Sequence, residues 1–274
     1  AYTFSDSFWF SAVEGEVYAT SQFFTAIVFW AMLKWDSVAD EPHADRWIIL
    51  IAYLMGLSIG VHLLNLLCIP ALALIYYYRK YKPTRGGVFM ALVIGAGILA
   101  VIQYGIIAGF VKIGAQFDLL FVNTIGLPIW SGFLFFIFLL VSGIVYGLNY
   151  TKRRNKPVLN TAILCFSFIL LGYSSYTMTV VRSMANPPMD ENDPEHAFNL
   201  LGYINREQYG DRPLGYGQYY NARVIDQEKG PMNYTVVDGK YQPTGNKIIP
   251  VYEPDKCTVF PRMYSSQPNH VSAY

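Results

Sequence analysis

Between Gly86 and Val111 the chain runs 26 residues without a charged side chain, "GGVFMALVIGAGILAVIQYGIIAGFV". As a helix rising about 1.5 Å per residue, that run reaches roughly 39 Å and crosses the ~30 Å hydrocarbon core of a bilayer. The pattern recurs at residues 17–35, 129–149 and 158–181. A further 33 residues, Arg46 to Tyr78, carry no charge after the first. One helix of that length would reach roughly 50 Å, so the stretch reads as two short or tilted passes. The division falls within "GLSIGVHLLN", where Gly56, Gly60, His62 and Asn65 gather small and polar residues at depth, as a broken or closely packed helix pair requires. Pro70 fits a kink in the second pass, and Trp30 and Trp35 suit an interfacial belt at the end of the first. The fold class is therefore an all-α polytopic membrane protein of about six passes. It divides into a transmembrane helical domain, residues 1–182, and a soluble segment, residues 183–274, of mixed α/β or irregular structure.

Two loops fix the expected orientation. "RKYKPTR" and "TKRRNKP" carry four basic residues each and are separated by two crossings, so both face the cytoplasm under the positive-inside rule. The connector near residues 111–127 and everything after Arg182 then lie outside. With two passes in residues 46–78, Glu14, Glu16 and the turn near His62 share that external side.

The external segment holds ten of the fifteen prolines. In "DENDPEHAFNLLGYINREQYGDRPL", Asp193 can cap a helix and Pro194 can take its first position. Phe198, Leu201 and Ile204 recur along one face, and Gly210 ends the pattern. Short strands and turns are expected beyond it. Cys68 and Cys165 read as small buried hydrophobes and Cys257 stands alone, so no intrachain disulfide is implied. The net charge of +1 gives no support for a nucleic-acid partner. No metal-protease or phosphate-loop motif is present. "AYTFSDSFWF" has no basic start and no cleavage site, and it reads like the interior of a longer protein.

"FWFSAVEGEVYATSQFF", "YLMGLSIGVHLLNLLCIPAL" and "NPPMDENDPEHAFNLLGYINREQYGDRPLGYGQYY" together resemble a large family of multi-pass bacterial inner-membrane proteins, abundant in the Bacteroidetes and described as uncharacterised or as protein O-mannosyltransferase-like. That family is similar to the GT-C glycosyltransferases, which move a sugar from a polyprenyl-phosphate carrier to an acceptor on the external face. The resemblance implies a polyprenyl-phosphate sugar as donor, membrane lipid as surroundings, a protein or glycan as acceptor, and a bacterial inner membrane with the C-terminal segment in the periplasm. In such enzymes an external acid serves as general base or holds a metal, which makes a divalent ion a candidate cofactor.

On that reading Glu14, Glu16 and His62 are the candidate catalytic residues. Tyr18 and Asn65 line the cavity, and Arg182, Arg206 and Arg212 bind the donor phosphate through their guanidinium forks. Each has a plainer alternative. The two acids can cap a helix N-terminus, and His62 can be a neutral imidazole satisfying backbone freed by the helix break. Arg182 can anchor the interface, while Arg206 can pair with Glu207 or Asp211. Two other functions stay open: a non-enzymatic subunit of an envelope or secretion assembly with envelope protein partners, and a transporter or flippase for a lipid-linked substrate.

Overall fold

The computed structural model describes residues 2–210, 213, 215–262, 264–265 and 267–273. The N-terminal part is helical throughout: α1 (Asp6–Val13), α2 (Tyr18–Ser37), α3 (Asp45–Ile59) and, after a 3-10 stretch Leu63–Cys68, α4 (Ile69–Lys80). A long helix then runs from Arg85 to Ile125 as α5 (Arg85–Ala100), a π-helical stretch Val101–Gly109, α6 (Phe110–Leu120) and a second π stretch Phe121–Ile125. It is followed by α7 (Ser131–Arg153), α8 (Pro157–Tyr173) and α9 (Thr177–Ser183), the last two joined by a 3-10 turn.

Among the described residues, three helices are long and apolar enough to cross a membrane: Arg85–Ile125, Ser131–Arg153 and Pro157–Ser183. The expected six passes are thereby corrected to fewer. Helix α2 has 20 residues, but Thr20, Ser21, Gln22, Thr25, Lys34 and Asp36 dilute its hydropathy. Helix α3 has 15 residues, about 22 Å, and falls short of the hydrocarbon core. The stretch 46–78 does break at Gly60–His62, where the chain leaves α3 and re-enters a helix at Leu63. Pro70 does not kink a helix; it stands in the first turn of α4, where its missing N–H is harmless. Trp35 belongs to no interfacial belt, since it is fully buried and stacked on Tyr76 at 5.0 Å.

Helices α3 and α8 run in parallel. Asp45 accepts from the Thr161 hydroxyl at 2.9 Å at one end, and Tyr53 meets Phe168 edge-on. At the other end a Cβ on Gly60 would come 2.7 Å from Ser175 Oγ. The close approach depends on two glycines: a Cβ on Gly56 would overlap the Ile169 carbonyl, and one on Gly172 would sit 2.5 Å from Leu57 N and Tyr53 O. This parallel pairing puts the 38–44 loop on the same face of the bundle as the basic loop 154–156. The ion pairs from Arg79 and Lys80 to Asp40, at 2.6 and 3.7 Å, bring the other basic loop there too. The start of α2, the break at Gly60–His62 and the end of α8 lie together on the opposite face, called here the tail face.

The connector expected at 111–127 is instead helix. Val111, Ala115, Asp118 and Val122 are all buried and fall at steps of four, three and four residues, the stripe of a packed helix face. In the first π stretch the carbonyl of Ile107 accepts the Tyr173 hydroxyl at 2.9 Å, a side-chain partner where the regular ladder is interrupted.

The rest of the chain covers the tail face. The predicted helix is α10 (Ala197–Ile204), which begins later than expected: His196 is its first flanking residue, while Asn192 and Asp193 adopt left-handed backbone. Strands β1 (Tyr216–Gln218) and β4 (Cys257–Val259) pair antiparallel, as do the much longer β2 (Val224–Val237) and β3 (Lys240–Tyr252). A short α11 (Pro268–Ala273) follows. Asp238 and Gly239, with φ of 50° and 73°, make the two-residue turn of the long hairpin, whose twist matches right-twisted strands.

Replacing Gly172 with Leu should force α3 and α8 apart. The expected loss is about 2 kcal/mol or more, the scale of overpacking a close-packed contact. Thermal unfolding of the detergent-solubilised protein would read it as a lower midpoint. Gly143→Leu, where an added side chain meets nothing within 4 Å, should leave the midpoint unchanged.

Candidate functional site

The break end of the bundle builds the site. Helix α3 ends with His62 N–H bonded to the Ser58 carbonyl at 2.8 Å, and His62 itself is extended. Its Nδ1 accepts from Leu64 N–H at 3.1 Å and so caps the 3-10 stretch. An accepting Nδ1 carries no proton, which puts the ring proton on Nε2. That edge is left for another partner. The ring also meets Tyr18 at 5.5 Å between centroids.

Glu16 lies two residues before Tyr18 in an exposed bend, and Glu14 closes α1 through its own N–H to Phe10 O at 3.0 Å. Neither carboxylate caps α2, whose first turn holds no acid and no side-chain cap. Asn65 turns inward, fully buried, and donates to Ser58 Oγ at 3.1 Å and Met55 Sδ at 3.3 Å. It therefore pins the 3-10 stretch to α3 rather than sharing the face of His62. Its Oδ1 has no hydrogen-bond partner among the described residues.

From the break a run of contacts leads to Arg182. Gly60 abuts Ser175, Tyr176 meets Tyr203 at 6.5 Å, and Tyr203 forms one wall of a groove of about 850 Å3. Met178, Val181, Arg182, Met189 and Glu191 supply other walls. Ser183 Oγ donates to Asp190 at 2.7 Å and holds the following loop over the helix end. The Arg182 guanidinium makes no hydrogen bond and no ion pair among the described residues. Its side chain stands at the polar end of an apolar helix, beside Met178 and Met189, which are 71% and 89% exposed. Arg206 follows α10 in left-handed backbone near Tyr176, while Glu207 ion-pairs with Lys247 at 3.8 Å. Arg212 lies outside the described residues.

Sequence reasoning missed one hub. Asp118, fully buried on α6, accepts from Trp130 N–H at 3.0 Å through Oδ2 and from Gly132 N–H at 3.0 Å through Oδ1, with a longer bond from Phe133 N–H. It caps α7 from a neighbouring helix. The Tyr241 hydroxyl donates to it as well, at 2.7 Å, and Asn123 bonds both the N–H and the carbonyl of Tyr241. The turn end of the long hairpin is thereby fastened to the bundle.

No group of three or more His, Cys, Asp or Glu side chains gathers among the described residues. The three cysteines are free thiols.

The two ends of the chain match different families. Residues 1–85 match the family model of the protein O-mannosyl-transferase TMEM260 N-terminal domain. This match contains α1 to α4, and with them Glu14, Glu16, Tyr18, His62 and Asn65. It supports an O-mannosyltransferase-like family for a chain whose apolar helices suit a membrane. Residues 210–274, which hold both sheets, match a family of unknown function (DUF8416). No curated protein and no solved structure matches the chain.

The hub titrates at its tyrosine. Burial first, then the bond to Asp118, push the Tyr241 phenol above its ordinary pKa of about 10. The folded chain holds that proton more tightly than the unfolded one. This contribution to stability is full below about pH 10 and is lost as pH rises from there. Thermal midpoints taken from pH 8 to 11.5 should fall above pH 10 more steeply in the wild-type protein than in Tyr241→Phe, which starts lower. Asp118→Ala leaves several buried donors unpaired and should cost about 3 kcal/mol or more at neutral pH.

Proposed function

We propose that the protein is an integral-membrane glycosyltransferase of the O-mannosyltransferase-like class. It takes a sugar from a polyprenyl-phosphate donor and passes it to a protein or glycan acceptor. The observation that carries this reading is Arg182, whose guanidinium has no hydrogen bond or ion pair among the described residues, set in one groove with Met178, Val181 and Met189 and with the acids Asp190 and Glu191 at the polar end of a membrane helix. A lipid phosphate has the matching chemistry: anionic oxygens for the guanidinium fork and a hydrocarbon chain for Met178, Val181 and Met189. The family match over residues 1–85 supports the same class.

In this reading Arg182, with Arg206 and Arg212, holds the donor phosphate. As the bond from sugar carbon to phosphate oxygen breaks, negative charge grows on the leaving phosphate, and a fixed guanidinium stabilises it. The acceptor hydroxyl loses its proton as its oxygen bonds the sugar carbon. Glu16 or Glu14 takes that proton as general base, and His62 orients the acceptor through its Nε2–H beside Tyr18. Asn65 supports the site by fixing the break. The tail face is external and, in a bacterial cell, periplasmic, with the basic loops in the cytoplasm.

The test uses the full-length protein in detergent with a panel of polyprenyl-phosphate sugars, following release of free lipid phosphate by mass spectrometry. Arg182→Ala should weaken donor use by about 100-fold in kcat/KM, the scale of one charge-assisted phosphate contact. His62→Ala and Glu16→Gln should lower kcat with the protein still folded. Absence of turnover with every donor, in intact protein given acceptors, would move the assignment to a non-enzymatic envelope subunit.

A further inference from the structure

The turn between α7 and α8 gathers positive charge on a part of the chain that has no acid of its own. Between Asp118 and Asp190 the sequence carries no Asp or Glu, yet Lys152, Arg153, Arg154 and Lys156 fall almost side by side. All four are exposed, and none makes an ion pair among the described residues. Asp45 of the neighbouring α3 is engaged by the Thr161 hydroxyl, one turn further along α8. Lys152 and Arg153 lie in the last turn of α7, where the helix dipole favours cations. Arg154 and Lys156 lie beyond it, at 5.9 and 5.4 Å from the Tyr150 ring. The turn that carries them is held by buried polar contacts. Thr151 donates to the Gly147 carbonyl at 2.8 Å, Asn160 of α8 donates back to the Thr151 hydroxyl at 2.8 Å, and the Lys156 N–H bonds the Thr151 carbonyl at 3.0 Å. Beside Lys156 a groove of about 390 Å3 follows the first turns of α8, its other walls being Pro157, Val158, Leu159 and Ala162. Val158 is 79% exposed there. From Pro157 to Val181 the chain has no charged residue, and the helix Pro157–Ser183 is long and apolar enough to cross a membrane. The groove therefore joins a cationic turn to the apolar start of a membrane helix.

We propose that this groove binds an anionic phospholipid, with its phosphate held by Arg154 and Lys156 and the start of an acyl chain laid against Val158, Leu159 and Ala162. Charge and polarity together select that occupant. A neutral lipid would cover the apolar wall and leave the cations without a counter-charge. A free phosphate would answer the cations and leave Val158 in water. An anionic lipid does both at the level where α8 enters the hydrocarbon, and basic residues beside a membrane helix attract such head groups. The guanidinium fork of Arg154 matches two phosphate oxygens, and Lys156 adds a point charge. This inference needs only that α8 enters a membrane. It is independent of the transferase reading, because the groove lies on the basic-loop face of the bundle, opposite the tail face that holds His62 and Arg182.

Native mass spectrometry of the full chain in detergent tests this, with dioleoyl phosphatidylglycerol or dioleoyl phosphatidylcholine titrated in and each bound lipid read as a mass increment. The anionic lipid should bind about 30-fold more tightly, at about fivefold for each of two cations near its head group. The double variant Arg154→Gln, Lys156→Gln should lose that preference while its binding of phosphatidylcholine stays the same. Val158→Glu, which sets an acid at the mouth of the groove, should lose it as well. The pair Lys82→Gln, Arg85→Gln, on the other basic loop, should keep it. All these positions are exposed, and unchanged thermal midpoints certify that the variants fold. Three results would each overturn the proposal. They are equal affinity for the two lipids, a preference that survives in the Arg154/Lys156 variant or falls as far in the Lys82/Arg85 variant, and displacement of the lipid by millimolar glycerol phosphate. The second would mean a diffuse basic surface and the third a site for free anions.

Discussion

A carboxylate with no exposure to water and four protein donors holds the molecule together at the tail face. Burying a charge costs several kcal/mol unless its lone pairs are met, and Asp118 is met from two directions: the N-terminal end of α7 and the hairpin. The helix Arg85–Ile125 has 41 residues, roughly 62 Å, about twice the hydrocarbon thickness. Its excess length needs partners outside the lipid. Asp118 and Asn123 provide them, converting a protruding helix end into the platform on which the C-terminal segment rests.

The second constraint is close backbone approach. Gly56 and Gly172 let α3 and α8 touch along parallel axes, and that direction decides which loops share a face. It agrees with two independent features of the chain. The basic residues 79–80 pair with Asp40 beside the start of α3, and the turn at Gly60–His62 reaches Ser175 at the end of α8. Charge distribution, glycine position and helix direction therefore describe one orientation. A membrane supplies no hydrophobic drive between helices, so packing of this kind carries the specificity.

Much of this architecture is legible in residue order. The break at Gly60–His62 follows from too long an uncharged stretch with polar residues at its centre, and the crossings read at 86–111, 129–149 and 158–181 fall within the three helices long and apolar enough to cross a membrane. The count of passes was overestimated because α2, α3 and α4 are apolar enough to suggest crossings yet too short or too mixed to make them. Asp118 escaped because a single acid in a stretch with weak amphipathy reads as connector. Its signal was the spacing of Val111, Ala115, Asp118 and Val122, which marks a buried face even with a charge on it. The long hairpin was visible in the Asp238–Gly239 turn between β-branched and aromatic residues, although the surrounding prolines and glycines suggested only short strands. What no residue pattern contains is the pairing across 123 positions between Asp118 and Tyr241, since that contact exists only once both ends have folded.

The same bookkeeping of polar groups separates scaffold from site. Asp118 is saturated: its oxygens serve the fold and leave no lone pair aimed at a ligand. Asn65 commits its amide N–H groups to Ser58 and Met55, while its buried Oδ1 has no partner among the described residues. His62 differs, because the break uses Nδ1 and leaves the Nε2 edge of a half-buried ring beside Tyr18. Arg182 differs most, a charge in α9 with no hydrogen bond or ion pair among the described residues, beside the exposed Met178 and Met189. An arginine there loses little by remaining solvated and gains most when a phosphate arrives, because the guanidinium fork is already in place. Satisfied groups hold the break and the platform still. On the transferase reading, His62 and Arg182, on the same face, are the groups left for a ligand.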